Sequence, residues 1–300
     1  MQHLRFLHYV DAVARCGSIR GAAETLHVAA SAVNRRIQDL EDELGTPLFE
    51  RLTRGVRLTA AGELFLGYAR RRHADLEQVR SQIEDLRGVR RGRVALVASQ
   101  ALAPDFLPRA ILEFQASHPG VAFEVKVFDR ERAVQAVADF EADLGLVFNP
   151  PDLRGLRVLA QAKQRTCAVV APDHPLAGRA SVRLKDCLQY PLALPDSSLS
   201  GRGVLDDLFA NSSARPQPPL VSNSYELMRS FAREAGGISF QIEIGAGAAG
   251  GAIAIPIDER NLPAGQLVLV ALRERVLPVA AASFAEFVGE KLAAANQNGA

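Results

Sequence analysis

The chain has 300 residues, 48% of them hydrophobic and 23% charged, and its formal net charge is +1. This length is typical of about two domains, and this composition of an ordinary globular protein. No run of residues approaches the roughly 18 apolar residues that a membrane span needs. The N-terminal stretch is periodic and interrupted by charge, unlike a signal peptide. We therefore expect a cytoplasmic protein with no membrane partner, which disfavours an exported solute-binding protein.

Cysteine and histidine residues are too few and too scattered to indicate a metal centre or a catalytic cluster. We expect no enzyme activity, no catalytic residues, no metal and no cofactor. Cys16, Cys167 and Cys187 are interpreted as reduced thiols. A redox-responsive regulator that uses Cys167 and Cys187 stays open as an alternative.

The N-terminal segment predicts three short helices. The first covers residues 3–15, and Ser18 is a suitable N-cap for the second. The third ends at Gly45, and its apolar positions recur at helical spacing: Val33, Ile37, Leu40 and Leu44. Two short helices joined by a tight turn are the helix-turn-helix pattern.

A small hairpin and a long helix follow. Segments 47–51 and 56–58 can pair around Thr53-Arg54-Gly55 as a wing. Residues 60–88 predict a linker helix whose apolar residues form a seam, here called the linker seam: Phe65, Tyr68, Leu76, Val79, Ile83 and Leu86. Such a seam favours pairing with a second copy of the chain.

Beyond a glycine-containing hinge at 88–92, strands and helices alternate. The predicted order is strand 94–98, helix 104–118, strand 121–128, helix 130–142 and strand 144–148. The alternation of strands and helices recurs in 167–171, 204–211, 225–235 and 237–242, and it ends with strand 266–272 and helix 280–295. This alternation predicts a parallel, doubly wound α/β sheet.

The order and spacing of residues over about the first 65 positions resemble the LysR-type transcriptional regulators. The matching residues are Gly17-Ser18-Ile19, Ala22-Ala23-Glu24, Leu26-His27-Val28, Ala32 to Ile37, Leu40-Glu41, Glu43-Leu44-Gly45, Pro47 to Arg51, Leu58-Thr59 and Ala61-Gly62. Shorter similarities follow at Leu107-Pro108, His118-Pro119, Pro172 to Ala177 and Gly236-Gly237-Ile238. Relatives often have polar residues where Ala29-Ala30 stand, and Ser in place of Asn34, so the operator should differ from theirs.

The resemblance implies an N-terminal winged helix-turn-helix with a long linker helix and a C-terminal, two-lobed, periplasmic-binding-protein-like α/β domain. The implied divisions are 1–59 for DNA binding, 60–88 for dimerisation and 92–300 for effector binding. Lobe I would comprise about 92–161 and 266–300, and lobe II about 162–265, with crossings near 160–163 and 264–266. The implied partners are double-stranded DNA with dyad symmetry, a small-molecule effector, the chain itself as homodimer or homotetramer, and RNA polymerase as a further candidate.

The predicted DNA-binding residues lie on the third helix, at the start of the second and in the wing. They are Ala30, Ser31, Asn34, Arg35, Gln38, Ser18, Arg20, Arg54 and Arg57. The amide of Asn34 can pair with adenine, and Arg35 can contact guanine or phosphate. Ser18 and Arg20 lie where a helix start meets phosphate, and Arg54 and Arg57 can enter a narrow minor groove.

The predicted effector-binding residues follow strands or precede helices. They are Ser99, Gln100, Phe148, Asn149, Ser197, Ser198, Ser200, Asn223 and Phe240. In open α/β sheets such positions meet in a cleft, and helix N-termini favour anions. We therefore predict a sequence-specific DNA-binding transcription regulator, an activator or repressor, controlled by a small organic anion. A DNA-binding protein that needs no ligand is the other alternative.

Overall fold

The computed structural model describes residues 2–86, 91–210, 216–247, 251–259, 262 and 264–298. The chain divides into two units, the first made mainly of residues up to Ile83 and the second of residues from Glu84 onward. The predicted hinge falls largely on 87–90, outside the described residues, and residues 91 and 92 already belong to a strand.

The first unit is a helix-turn-helix followed by a wing and a long helix. Its elements are α1 (Gln2–Cys16), α2 (Ile19–Leu26), α3 (Ala30–Leu44), β1 (Phe49–Arg51), β2 (Val56–Leu58) and α4 (Ala60–Leu86). The stripe of α3 predicted to be apolar is buried at Val33, Ile37 and Leu40, and it packs against Val10 and Val13 of α1. Small side chains at Ala22 and Ala23, both buried, let the helices approach closely.

Specific residues end the helices and place the wing. The hydroxyl of Ser18 caps α2 by accepting a hydrogen bond from the Gly21 N–H. Gly45 ends α3 at φ +66°. At the tip of the wing Gly55 has φ +88°, and a Cβ there would overlap the carbonyl oxygen of Gly17. Only glycine lets the wing approach the α1–α2 turn in this way.

The second unit contains two lobes, each built on a five-stranded sheet. The first sheet has the order β4-β3-β5-β12-β6, with strands β3 (Arg91–Ser99), β4 (Gly120–Phe128), β5 (Leu144–Phe148), β6 (Leu156–Gln164) and β12 (Gly265–Leu272). Helices α5 (Phe106–Ser117), α6 (Arg130–Ala138) and α10 (Val279–Asn298) accompany it.

The second sheet has the order β11-β7-β10-β8-β9. Its strands are β7 (Thr166–Val170), β8 (Leu192–Pro195), β9 (Leu220–Ser222), β10 (Ile238–Ile242) and β11 (Ile253–Pro256), and its helices are α7 (Leu184–Cys187), α8 (Gly201–Ala210) and α9 (Tyr225–Glu234). The winged helix-turn-helix with a two-lobed α/β domain is thus confirmed.

The expectation of wholly parallel sheets was wrong. In the first sheet β3 runs parallel to β4 and β5, but β12 is antiparallel to both β5 and β6. In the second sheet β8 is parallel to β9 and β10, but β7 is antiparallel to β10 and β11. A buried apolar run looks the same in either strand direction, so the sequence pattern could not distinguish the two.

Some predicted boundaries also move. Helix α6 ends at Ala138 rather than near 142, and Phe140 lies beyond it at φ +59°, a conformation that interrupts a helix. Helix α5 begins at Phe106 because residues Gln100–Leu102 form a 3-10 turn. Strand β6 continues in the first sheet to Gln164, past the predicted crossing at 160–163 and the predicted lobe boundary at 161.

Candidate functional sites: the α3–wing surface and the cavity between the lobes

The outer surface of α3 carries four of the predicted DNA-binding residues in exposed positions. These are Ala30, Ser31, Arg35 and Gln38. Arg35 contrasts with its neighbour Arg36, whose guanidinium lies 5.5 Å from the centroid of the Phe6 ring and 3.8 Å from Asp39. No acceptor among the described residues lies within hydrogen-bond distance of Arg35. Its donors are therefore available to a nucleic acid.

Asn34 occupies a different environment from the other α3 residues. It is half-buried, and its Oδ1 accepts a hydrogen bond of 2.8 Å from Nη2 of Arg51 in β1. Arg51 was not among the predicted site residues. Two turns along the same helix, Glu41 Oε1 accepts from the backbone N–H groups of Leu48 (2.7 Å) and Phe49 (3.0 Å). Helix α3 is thus hydrogen-bonded to the start of the wing at two positions, two helical turns apart.

The remaining predicted DNA-binding residues differ in how their side chains are engaged. In the wing, Arg57 donates to Glu50 at 2.7 Å, whereas Arg54 is exposed and meets no acceptor in the described part of the chain. At α2, Arg20 lies 3.4 Å from Glu24, and Ser18 serves as the helix cap. Arg54 is therefore the wing residue whose donors are most available.

Five of the predicted effector-binding residues line one small cavity in the second unit, of about 10 Å³. They are Ser99, Gln100, Phe148, Ser198 and Ser200. The cavity lies at the carboxyl end of β3 and the amino ends of α8 and α9, where the two lobes meet. Six further lining residues were not predicted: Ala101, Phe128, Asp129, Arg130, Leu199 and Tyr225. Three of these, at 128–130, end or directly follow β4 and could have been found by the same strand-end rule.

Hydrogen bonds close this cavity. Oε1 of Gln100, in the first lobe, accepts from the N–H of Tyr225 at 3.1 Å, the first residue of α9 in the second lobe. The buried hydroxyl of Ser99 accepts from the Phe148 N–H at 3.0 Å, and its own proton remains available to donate. The Gln100 carbonyl thereby occupies the helix N-terminus that an anion would favour.

Charged groups of both signs surround the cavity. Arg130 lines it, with Nε 2.8 Å from Glu131 and Nη1 3.4 Å from the Asn149 carbonyl. Asp129 Oδ1 accepts from the Arg132 N–H at 2.8 Å. Near Ser198, Asp196 Oδ1 accepts from both the N–H and the hydroxyl of that serine, at 2.9 and 2.6 Å. Each carboxylate therefore already has local donors.

Four predicted effector-binding residues lie elsewhere. Phe240 packs in the core of the second lobe with residues such as Leu205. Asn149, at φ +46°, exchanges hydrogen bonds with Gln266 at the edge of β12. Ser197 and Asn223 are exposed and do not line the cavity. Side chains alternate between the two faces of a strand, and the Phe240 side chain lies on the face of β10 that packs against α8, which is why Phe240 does not line the cavity.

The cysteines show no sign of a redox pair. All three are free, and Cys167 and Cys187 are fully buried in separate clusters. Burial raises the pKa of each of these two thiols to about 12, so neither forms a thiolate near neutral pH. Within the described ranges, no group of three or more His, Cys, Asp or Glu side chains is arranged to hold a metal. None of the described helices is long and apolar enough to cross a membrane.

Comparison with known proteins agrees with both units. Residues 4–63 match the model for "Bacterial regulatory helix-turn-helix protein, lysR family", and residues 87–293 match the "LysR substrate binding domain". The RuBisCO operon transcriptional regulator of Allochromatium vinosum is 32% identical over 238 residues, 79% of this chain and 78% of that protein.

Two solved structures support the fold. Full-length CbnR complexed with its target DNA has a TM-score of 0.63 at 22% identity, covering 95% of this chain and 98% of that one. Full-length OxyR from Pseudomonas aeruginosa has a TM-score of 0.68 at 20% identity, covering 95% and 94%. With both family models matched in the expected order, the chain belongs to the LysR-type transcriptional regulators.

Proposed function

We propose that α3 and the wing recognise an operator with dyad symmetry, and that a small organic anion bound between the lobes controls this recognition. As a LysR-type regulator, the chain binds DNA and responds to a small-molecule effector. The finer assignment gives DNA recognition to residues 1–59, dimerisation to 60–88 and effector binding to 92–300. We further infer a cytoplasmic protein that binds its effector without transforming it.

The observation that carries the DNA half of the proposal is the availability of Arg35 and Arg54. A helix placed in the major groove reads bases with its exposed side chains, and Arg35 offers a rigid pair of donors that fits the acceptors of guanine. Arg54, at the wing tip, can reach the adjacent minor groove, where narrowed A·T-rich sequence attracts arginine. We expect Ser31, Gln38 and Ala30 to complete the α3 contacts.

The observation that carries the effector half is the convergence of donors on one cavity. The hydroxyl groups of Ser99 and Ser200, the guanidinium of Arg130 and the first N–H of α9 all lie at its lining. Such donors suit a carboxylate. Asp129 and Asp196 oppose an anion, but local N–H donors already occupy both.

The size of the cavity specifies how the effector must enter. About 10 Å³ holds roughly one water molecule, so an organic acid requires the lobes to separate and the Gln100–Tyr225 hydrogen bond to break. The carboxylate would then replace the Gln100 oxygen at the N-terminus of α9. The ligand thus favours an opened arrangement of the lobes, which is a population shift set by its differential affinity.

A thermal-shift screen of small metabolites tests the effector half. A ligand at a hundred times its dissociation constant should stabilise the protein by about 2.7 kcal/mol. Carboxylates should shift the melting temperature, and Gln100→Glu should abolish that shift because it places a negative charge where the anion binds. Ser200→Ala should weaken it, whereas Ser181→Ala, an exposed serine of the same lobe, should not. Stabilisation by cations or uncharged bases alone would contradict the proposal.

The screen, together with measurements of operator affinity, separates the alternatives. A DNA-binding protein that needs no ligand would show no stabilising compound and no effect of any compound on operator affinity. A redox-responsive regulator would change its operator affinity on treatment with peroxide. The burial and raised pKa of Cys167 and Cys187 argue against the second outcome.

A further inference from the structure

The orientation of the Asn34 amide is fixed by its partner. Nη2 of Arg51 lies 2.8 Å from Oδ1 of Asn34. A guanidinium has only donors, so the amide atom that faces it must be the oxygen. The amide nitrogen, with its two N–H donors, therefore occupies the other position.

The backbone of the wing delivers Arg51 to this place. Successive side chains of a strand point to opposite sides. Phe49 is buried against the helices, Glu50 points away and pairs with Arg57, and Arg51 returns to the side of Phe49. Glu41 of α3 fixes the position of β1 along the helix through two N–H groups. The Arg51–Asn34 contact is thus set by the packing of β1 on α3.

This contact changes the base that Asn34 is suited to read. An asparagine reads adenine with both amide atoms, its oxygen accepting from N6 and its nitrogen donating to N7. Here one lone pair of the oxygen accepts from the guanidinium, whose positive charge and N–H donors repel the N6 amino group of adenine, and the Nδ2 hydrogens and the remaining N–H donors of Arg51 face a base. Guanine presents two acceptors in the major groove, N7 and O6, and no donor. A set of donors matches guanine and opposes the N6 amino group of adenine.

We propose that Arg51 is a specificity-determining residue that makes Asn34 a donor, so that this position of α3 selects guanine rather than adenine. The inference rests on the proposed function, in which α3 reads bases, and it replaces the expectation from sequence that Asn34 pairs with adenine.

Selection of bound sequences from a random DNA pool tests the inference with the full-length protein. The base position read by Asn34 is the one whose preference is lost in Asn34→Ala. Wild-type protein should select guanine there, by roughly tenfold over adenine if two hydrogen bonds discriminate. Arg51→Met frees the amide to turn and should move the preference toward adenine. Arg51→Lys keeps a cationic donor beside Oδ1 and should retain guanine.

Arg54→Met provides the matched control for the loss of a positive charge. It removes an arginine of the same wing whose contacts do not include Asn34, and should lower operator affinity without changing the preference at the Asn34-dependent position. A second measurement uses DNA with 7-deazaguanine at the selected position, which lacks the N7 acceptor. It should weaken binding of the wild type several-fold and leave binding of Asn34→Ala unchanged.

Three results would overturn the inference. Wild-type selection of adenine at the Asn34-dependent position would show that the amide oxygen reads the base. Retention of guanine by Arg51→Met, with affinity lowered equally for all sequences, would reduce Arg51 to a phosphate contact. Unchanged preferences in Asn34→Ala would show that Asn34 reads no base, although α3 could still read through Arg35. Failure of the proposed function is distinct, because the wild type would then enrich no symmetric motif at all.

Discussion

The double variant Val79→Asp and Ile83→Asp should separate the subunits along α4. The two side chains are 48% and 44% exposed in the single chain, and Leu64 and Tyr68 on the same helix are 79% and 43% exposed. Apolar side chains at this spacing along one helix indicate that a second helix covers them. Phe65, at the start of the linker seam, packs against the core of the first unit instead, so we infer that two copies pair through the exposed part of the seam, at Tyr68, Val79 and Ile83.

The exposed area sets the size of the effect. Complete burial of a valine or isoleucine side chain contributes about 1.5–3 kcal/mol, so burying the exposed half of each contributes about 1 kcal/mol. Two residues from each of two subunits give about 4 kcal/mol, which corresponds to roughly a thousandfold increase in the dissociation constant. Burying carboxylates would add to this loss.

Light scattering on the full-length protein at micromolar concentration measures the outcome. The wild type should have at least the mass of a dimer, and the double variant should show half the mass of the wild-type assembly. Arg80→Asp is the matched control, since it adds an aspartate to the same helix beside the seam and disrupts only an exposed pair with Glu77. An unchanged mass in the double variant would refute the reasoning and show that the subunits associate elsewhere.

Three further predictions concern the packing and chemistry of the units. Gly62→Ala should destabilise the first unit by about 2 kcal/mol in urea unfolding, because a Cβ would overlap the carbonyl oxygen of Leu48; an unchanged midpoint would contradict this. Asp143→Ala should cost about 3–5 kcal/mol, since it removes the carboxylate that lies 2.7 Å from the largely buried guanidinium of Arg275 and that also accepts from the Ala95 N–H. A loss below 1 kcal/mol would show that the site relaxes. A thiol reagent at pH 8 should label only the exposed Cys16 in the folded protein and all three cysteines after unfolding; fast labelling of the buried pair would revive the redox alternative.

Much of the first unit could be predicted from sequence because its signals are local. The apolar period of α3, the cap at Ser18 and the stop at Gly45 each depend on a few neighbouring residues. The convergence of Ser99, Gln100, Phe148, Ser198 and Ser200 on one cavity was also predicted, from the rule that strand ends meet at one edge of a sheet.

The contacts that define the sites depend on residues far apart in the chain. Arg51 meets Asn34 across 17 positions, and Gln100 meets Tyr225 across 125. Neither pair has a local pattern, because each follows from the packing of one element on another. The direction of a strand in its sheet also depends on the packing of distant segments, so the antiparallel placement of β7 and β12 was not predicted.

Hydroxyl-radical footprinting of the full-length protein on a DNA fragment carrying its selected motif tests the central claim most directly. Recognition by α3 and the wing of paired subunits predicts two protected half-sites, related by dyad symmetry and separated by a multiple of about 10–10.5 base pairs. Arg35→Ala should lose this protection at concentrations where the wild type retains it, because it costs about 1–3 kcal/mol. Asymmetric or uniform protection, or an unchanged footprint in Arg35→Ala, would contradict the account.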